Sequence, residues 1–84
     1  MINKEFLKKQ IIYRATHRGS KEMDILLGQF VKKIIKSLNY SNLKELDEIL
    51  KIEDEILSQW FFNKKDSQLI PNNKISQMFR NFKL

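Results

Sequence analysis

Eight apolar residues, Met23, Leu26, Leu27, Phe30, Val31, Ile34, Ile35 and Leu38, recur at alternating spacings of three and four. Only a helix with one continuous apolar face gathers such a series on one side. A stripe this long has to be covered by other elements, so it predicts the spine of a packed domain. With two glycines and one proline in 84 residues, the chain has few breaks. It therefore reads as all-α, a single small domain over residues 1–84 built as a five-helix bundle.

The remaining elements follow from the same periodicity. Residues 4–16 place Leu7, Ile11 and Ala15 on one stripe, with Lys4, Lys8, Lys9 and Arg14 around it. The spine helix is expected from about residues 18–20 to 38, with Lys32, Lys33 and Lys36 near its C-terminus, where they complement the helix dipole. Gly19, stepped back along that helix, falls on the buried side, where a second backbone can come close. Ser41 or Asn42 is the expected N-cap of a third helix carrying Leu43, Leu46, Ile49 and Leu50, and Asn42 with Glu45 resembles a capping box. Glu53, Asp54 and Glu55 suit the N-terminus of a fourth helix whose apolar side is Ile56, Leu57, Trp60 and Phe61. One of Trp60, Phe61 and Phe62 has to point outward. Residues 63–73 read as a loop, with Pro71 near the first turn of a last helix carrying Ile75, Met78, Phe79 and Phe82.

Composition limits the chemistry. There is no cysteine and one histidine, which excludes thiol nucleophiles, thiolate metal sites and polyhistidine sites. No apolar run exceeds three residues, so no membrane insertion is expected. A chain this short buries only about 60–65% of its unfolded surface, which leaves little volume for a deep catalytic pocket. The net charge of +6 is unevenly shared: residues 1–42 carry +6, residues 43–57 carry −4 and residues 58–84 carry +4. An acidic middle between basic ends makes a dipolar surface. It is a poor uniform grip for nucleic acid.

The joint at residues 13–22 concentrates bases, the histidine and a glycine. Turned at 100° per residue, Arg18 and Glu22 become i, i+4 neighbours beside the apolar face, with Ile25 and Gln29 on the same side. The bland reading is a solvated ion pair worth a few tenths of a kcal/mol, and spacing alone favours it. The functional reading is a guanidinium and a carboxylate offered to a partner, with Ile25 as the greasy contact. His17 could act as a base, yet no serine, cysteine or carboxylate triad surrounds it in sequence, and a helix-end role suits it better. Glu22 and Asp24 point to opposite sides of their helix and make a poor acid–base couple.

Tyr13-Arg14, then His17-Arg18-Gly19-Ser20-Lys21-Glu22-Met23-Asp24 and Leu26-Leu27-Gly28-Gln29-Phe30, resembles the Arg-Gly-x-x-Glu region of the succinate dehydrogenase assembly factor 2 family. The apolar spine, the acids before a helix, and Gln59-Trp60 followed by Asn63 extend the resemblance over about residues 4–82. It implies a five-helix bundle that binds the flavoprotein subunit of succinate dehydrogenase, and of its fumarate reductase relative, and promotes covalent attachment of FAD to a histidine there. Such a factor is not an enzyme and holds no FAD stably itself. By position, Arg18, Gly19 and Glu22 are the motif residues, Asp24 matches the acid that follows, and Arg14 and His17 fall where bases are common. Thr16 and His17 stand where many members have arginine, so the basic rim is thinner here.

The expected partner-binding set is thus Arg18, Gly19, Glu22, Arg14, His17, Asp24 and Ile25, with no metal or cofactor ligands. The segment Met1-Ile2-Asn3-Lys4-Glu5 lacks the apolar core of a signal peptide and carries an acid early, unlike a transit peptide, so a bacterial cytoplasm is expected; the chain is also expected to be a monomer. The alternative is a small basic nucleic-acid-binding helical domain, for which Lys32, Lys33 and Lys36 offer a partial recognition face.

Overall fold

A computed structural model describes residues 3–83. Met1 and Ile2, which open the N-terminal segment considered above, and Leu84 lie outside the described residues. Five α-helices follow one another: α1 (Lys4–Thr16), α2 (Lys21–Ile34), α3 (Tyr40–Leu50), α4 (Asp54–Phe62) and α5 (Lys74–Arg80). A 3₁₀ turn, Ile35–Ser37, follows α2, and no strand occurs among the described residues.

Every α-helix start but one is capped by a side chain. Asn3 accepts from the Phe6 N–H at 2.7 Å, and Ser20 accepts from the Met23 N–H at 3.2 Å. The α2 helix therefore begins after Ser20, leaving Arg18 and Gly19 outside it. At its other end the expected helix to Leu38 tightens into the 3₁₀ turn, where Ser37 Oγ donates to the Ile34 carbonyl at 3.0 Å. Ile35 and Leu38 stay buried through this change of winding.

The cap of α3 is Asn39 rather than Ser41 or Asn42. Its Oδ1 takes the Asn42 N–H at 2.8 Å, and the Asn42 side chain instead donates to Glu45 within the helix at 3.0 Å. Pro71 likewise precedes the first turn of α5. That helix opens on a reciprocal box in which Asn73 and Ser76 exchange two hydrogen bonds of 2.9 Å, which satisfies the buried Ser76.

One core runs through the bundle. The α2 stripe is buried from Met23 to Ile34, α1 packs against α2 and α3, and α5 packs against α3. Phe79 of α5 is the aromatic centre. Its ring lies 4.9 Å from Phe30, 4.8 Å from Phe61 and 5.9 Å from Trp60, within the range of favourable ring contacts. Of the three aromatics on α4, Trp60 is buried, Phe61 is partly covered and Phe62 is 50% exposed. Phe79→Ala should therefore cost about 3–5 kcal/mol in denaturant unfolding, while Phe62→Ala stays within about 0.5 kcal/mol.

Candidate functional site

The residues singled out around the first joint meet the turn between α3 and α4 at one corner of the bundle. Here α1 ends, α2 begins, α3 ends and α4 begins. Each helix terminus leaves backbone groups without intrahelical partners. An arginine and an aspartate satisfy them.

Arg18 turns inward. Its Nε donates to Asp54 Oδ1 at 2.7 Å, one terminal nitrogen donates to the Leu50 carbonyl and to the Arg14 carbonyl at 3.3 Å, and the other donates to the Ile52 carbonyl at 2.8 Å. Leu50 is the last residue of α3 and Arg14 lies in the last turn of α1, so the guanidinium caps two negative helix ends. Asp54 is the first residue of α4. Its Oδ2 accepts the Gly19 N–H at 2.7 Å and the Ser20 N–H at 3.3 Å, where α2 begins. The carboxylate thus sits at two positive helix ends and opposite one guanidinium. The Arg18 side chain is only 9% exposed.

This geometry corrects the sequence-based pairing of Arg18 with Glu22. Glu22 lies on the exposed side of α2, while Arg18 is bound to Asp54. The physical reason is the start of α2 at Ser20: Arg18 is not on that helix, and four acceptors inside the corner outweigh one solvated carboxylate. Gly19 also differs from expectation, because it is exposed and does not lie on a buried helix face. Its close neighbour is a carboxylate, and a Cβ there would stand 3.4 Å from Asp54 Oδ2, an ordinary contact. Gly19 does not have a positive φ either, so the fold itself does not demand glycine at this position.

Asp24 is half-buried and accepts the backbone N–H of Arg18, which fixes the path of the joint. Arg14 Nε lies 3.1 Å from Asp47 Oδ1, but its N–H makes no well-aligned hydrogen bond. The Asp47 carboxylate is buried between α1 and α3, where Gln10 Nε2 donates to it at 3.3 Å and Lys51 Nζ stands 3.8 Å away. His17 lies flat on Tyr13, with ring centroids 4.0 Å apart, and its Nδ1 is 2.9 Å from the Tyr13 carbonyl. Ile25 remains 48% exposed.

The outward surface of the corner is therefore formed by Tyr13, His17, Gly19, Glu22 and Ile25, with Arg18 and Asp24 beneath it. A shallow depression of about 620 Å³ opens between Tyr13, His17 and Gly19 on one side and Lys51, Ile52 and Glu53 on the other. No group of three or more His, Cys, Asp or Glu that could hold a metal occurs among the described residues.

Sequence reasoning missed Asp54 and Asp47 as determinants of this site. Asp54 looked like one of three acids at a helix start. Asp47 carried a readable signal, since it falls four residues after Leu43 and three before Leu50, inside an apolar stripe.

Fold and site define a small helical protein with an open, mixed-charge corner held by internal hydrogen bonds. The family described as flavinator of succinate dehydrogenase matches residues 9–83, and the chain belongs to it. A FAD assembly factor SdhE from Acetobacter pasteurianus is 32% identical over 73 residues, covering 87% of this chain and 64% of that protein. The mitochondrial succinate dehydrogenase assembly factor 2 of Meyerozyma guilliermondii is 33% identical over 69 residues, covering 82% of this chain and 51% of that protein. The corresponding Arabidopsis thaliana protein is 31% identical over 58 residues, covering 69% of this chain and 31% of that protein. The chain thus spans about a third to two thirds of the length of these relatives. No solved structure matches it. No helix among the described residues is long and apolar enough to cross a membrane.

The two acidic partners make opposite predictions for stability. Asp54→Ala leaves the largely buried Arg18 charge without its counter-ion and removes the acceptor of two backbone N–H groups, and should cost about 3 kcal/mol in urea unfolding. Glu22→Ala should change stability by about 0.5 kcal/mol or less.

Proposed function

We propose that the chain is a non-catalytic assembly factor that binds the flavoprotein subunit of succinate dehydrogenase, and that of fumarate reductase, and promotes covalent FAD attachment there. The flavin and a histidine of the client supply the bond-forming chemistry. This chain contributes a rigid surface that binds one client conformation better than others and raises its population. It acts as a monomer in a bacterial cytoplasm, without holding FAD or nucleic acid itself. Membership of the family supports the activity and the client.

The observation that carries the residue assignment is the division of labour at the corner. Arg18 has all three guanidinium nitrogens hydrogen-bonded within the chain, so it acts as a positioning residue, and Asp24 joins it in holding the joint. Gly19, Glu22, His17 and Ile25 are the groups left to touch the client. Gly19 admits close approach, Glu22 supplies a charged acceptor on the first turn of α2, and Ile25 supplies apolar area. Arg14 serves both roles, since its ion pair with Asp47 leaves its side chain 37% exposed.

The test is covalent flavin in the client subunit, read by in-gel fluorescence after co-expression. Glu22→Ala, confirmed folded by circular dichroism, should lower flavinylation by about tenfold, the equivalent of one good interfacial contact. Undiminished covalent flavin with this variant would remove Glu22 from the docking surface. A wild-type chain that neither binds the subunit nor raises its flavin content overturns the function itself.

A further inference from the structure

Beside the docking corner, α1 and α2 frame a groove of about 460 Å³. Ile12 and Ala15 of α1 line one wall, Gly28 and Val31 of α2 with Ile35 the other, and the exposed Lys32 and Lys36 border it. Three features mark this groove. Glycine in a helix interior is a poor helix former, and Gly28 sits in the middle of α2. The fold does not require it: its φ is not positive, and an added Cβ would meet only Thr16 Cγ2, at a comfortable 3.7 Å. Ile12 is 47% exposed. Lys32, in the last turn of α2, and Lys36, in the 3₁₀ turn, both border the groove, and the ion pairs found among the described residues involve other groups.

A missing side chain, an exposed isoleucine and two lysines that join no ion pair among the described residues converge on one groove. We propose that it docks an acidic, apolar segment of the partner protein. One apolar side chain would seat over Gly28 between Ile12, Val31 and Ile35. Two carboxylates spaced about one helical turn apart would meet Lys32 and Lys36. A nucleic-acid phosphate would satisfy the lysines but leave Ile12 uncovered. The groove is continuous with the docking corner, because Thr16 lines it and its hydroxyl stands 3.2 Å from His17 Nδ1. The inference rests on the assembly-factor reading, in which the partner is the client flavoprotein, and extends the contact surface beyond the Arg-Gly-x-x-Glu corner.

The experiment is calorimetric titration of the purified flavoprotein subunit of succinate dehydrogenase with wild-type chain, Lys32→Glu/Lys36→Glu, Gly28→Leu and Gly28→Ala, each checked by circular dichroism and thermal melting. The double charge reversal should weaken binding by at least about tenfold and flatten its salt dependence. Gly28→Leu should weaken it comparably by filling the groove. Gly28→Ala should raise the melting temperature yet lower affinity, a pairing that a purely structural glycine does not produce. If Gly28→Leu does not fold, the charge reversal and Gly28→Ala decide.

Wild-type binding with unchanged affinity in these folded variants overturns the groove and leaves the corner reading standing. Absence of wild-type binding overturns both. Self-association of the wild type that the same variants abolish assigns the groove to a second copy and overturns the proposal. So does an RNA or DNA mobility shift lost on charge reversal while flavoprotein binding persists.

Discussion

One ion pair sits where four helix ends meet and bonds the backbone of three of them. The Arg18 guanidinium takes carbonyls from the last turns of α1 and α3, and the Asp54 carboxylate takes N–H groups where α2 begins while itself opening α4. Each charge is thus matched to helix dipoles of opposite sign as well as to its partner. A buried pair often fails to recover its desolvation cost. Here the accompanying backbone hydrogen bonds offset that cost, and these groups would otherwise be unsatisfied at three termini, the ends of α1 and α3 and the start of α2. The corner's geometry follows from the pair: α2 cannot start one residue earlier without pulling Gly19 and Ser20 off Asp54.

This arrangement separates the residues of the Arg-Gly-x-x-Glu motif into two layers. The arginine shapes the surface from beneath, whereas the glycine and the glutamate are the surface. The chain's two glycines fit the same logic. Neither has a positive φ, and each could accept a Cβ at ordinary contact distance. Neither is required by the backbone, and each lies where a side chain would stand between the bundle and whatever approaches it.

The architecture was legible from periodicity because long apolar stripes leave little choice of winding. The α1 bounds, the buried series from Met23 to Leu38 and the exposed member of the α4 aromatics all follow from spacing alone. What spacing missed lies at the ends of helices. Asn39 outcompeted Ser41 and Asn42 as a cap, and the end of α2 tightened into a 3₁₀ turn, because capping depends on where a side-chain oxygen meets a free N–H. The Arg18–Glu22 pairing failed for the same reason. A local i, i+4 rule holds only inside a helix, and Arg18 found Asp54, 36 residues away, which no local pattern reports. Charge-bearing residues at joints are therefore the hardest to assign from sequence, and here they are the ones that build the candidate site.

The division of the motif into a buried clamp and an exposed contact is tested most directly by thermodynamic cycles on the free protein. Urea unfolding of Arg18→Ala, Asp54→Ala and the double variant, beside Arg18→Ala, Glu22→Ala and their double variant, gives two coupling energies. The account predicts a coupling of about 2 kcal/mol between Arg18 and Asp54, and of about zero between Arg18 and Glu22. Strong coupling to Glu22 with none to Asp54 would contradict it, returning the arginine to the surface as a partner-facing charge.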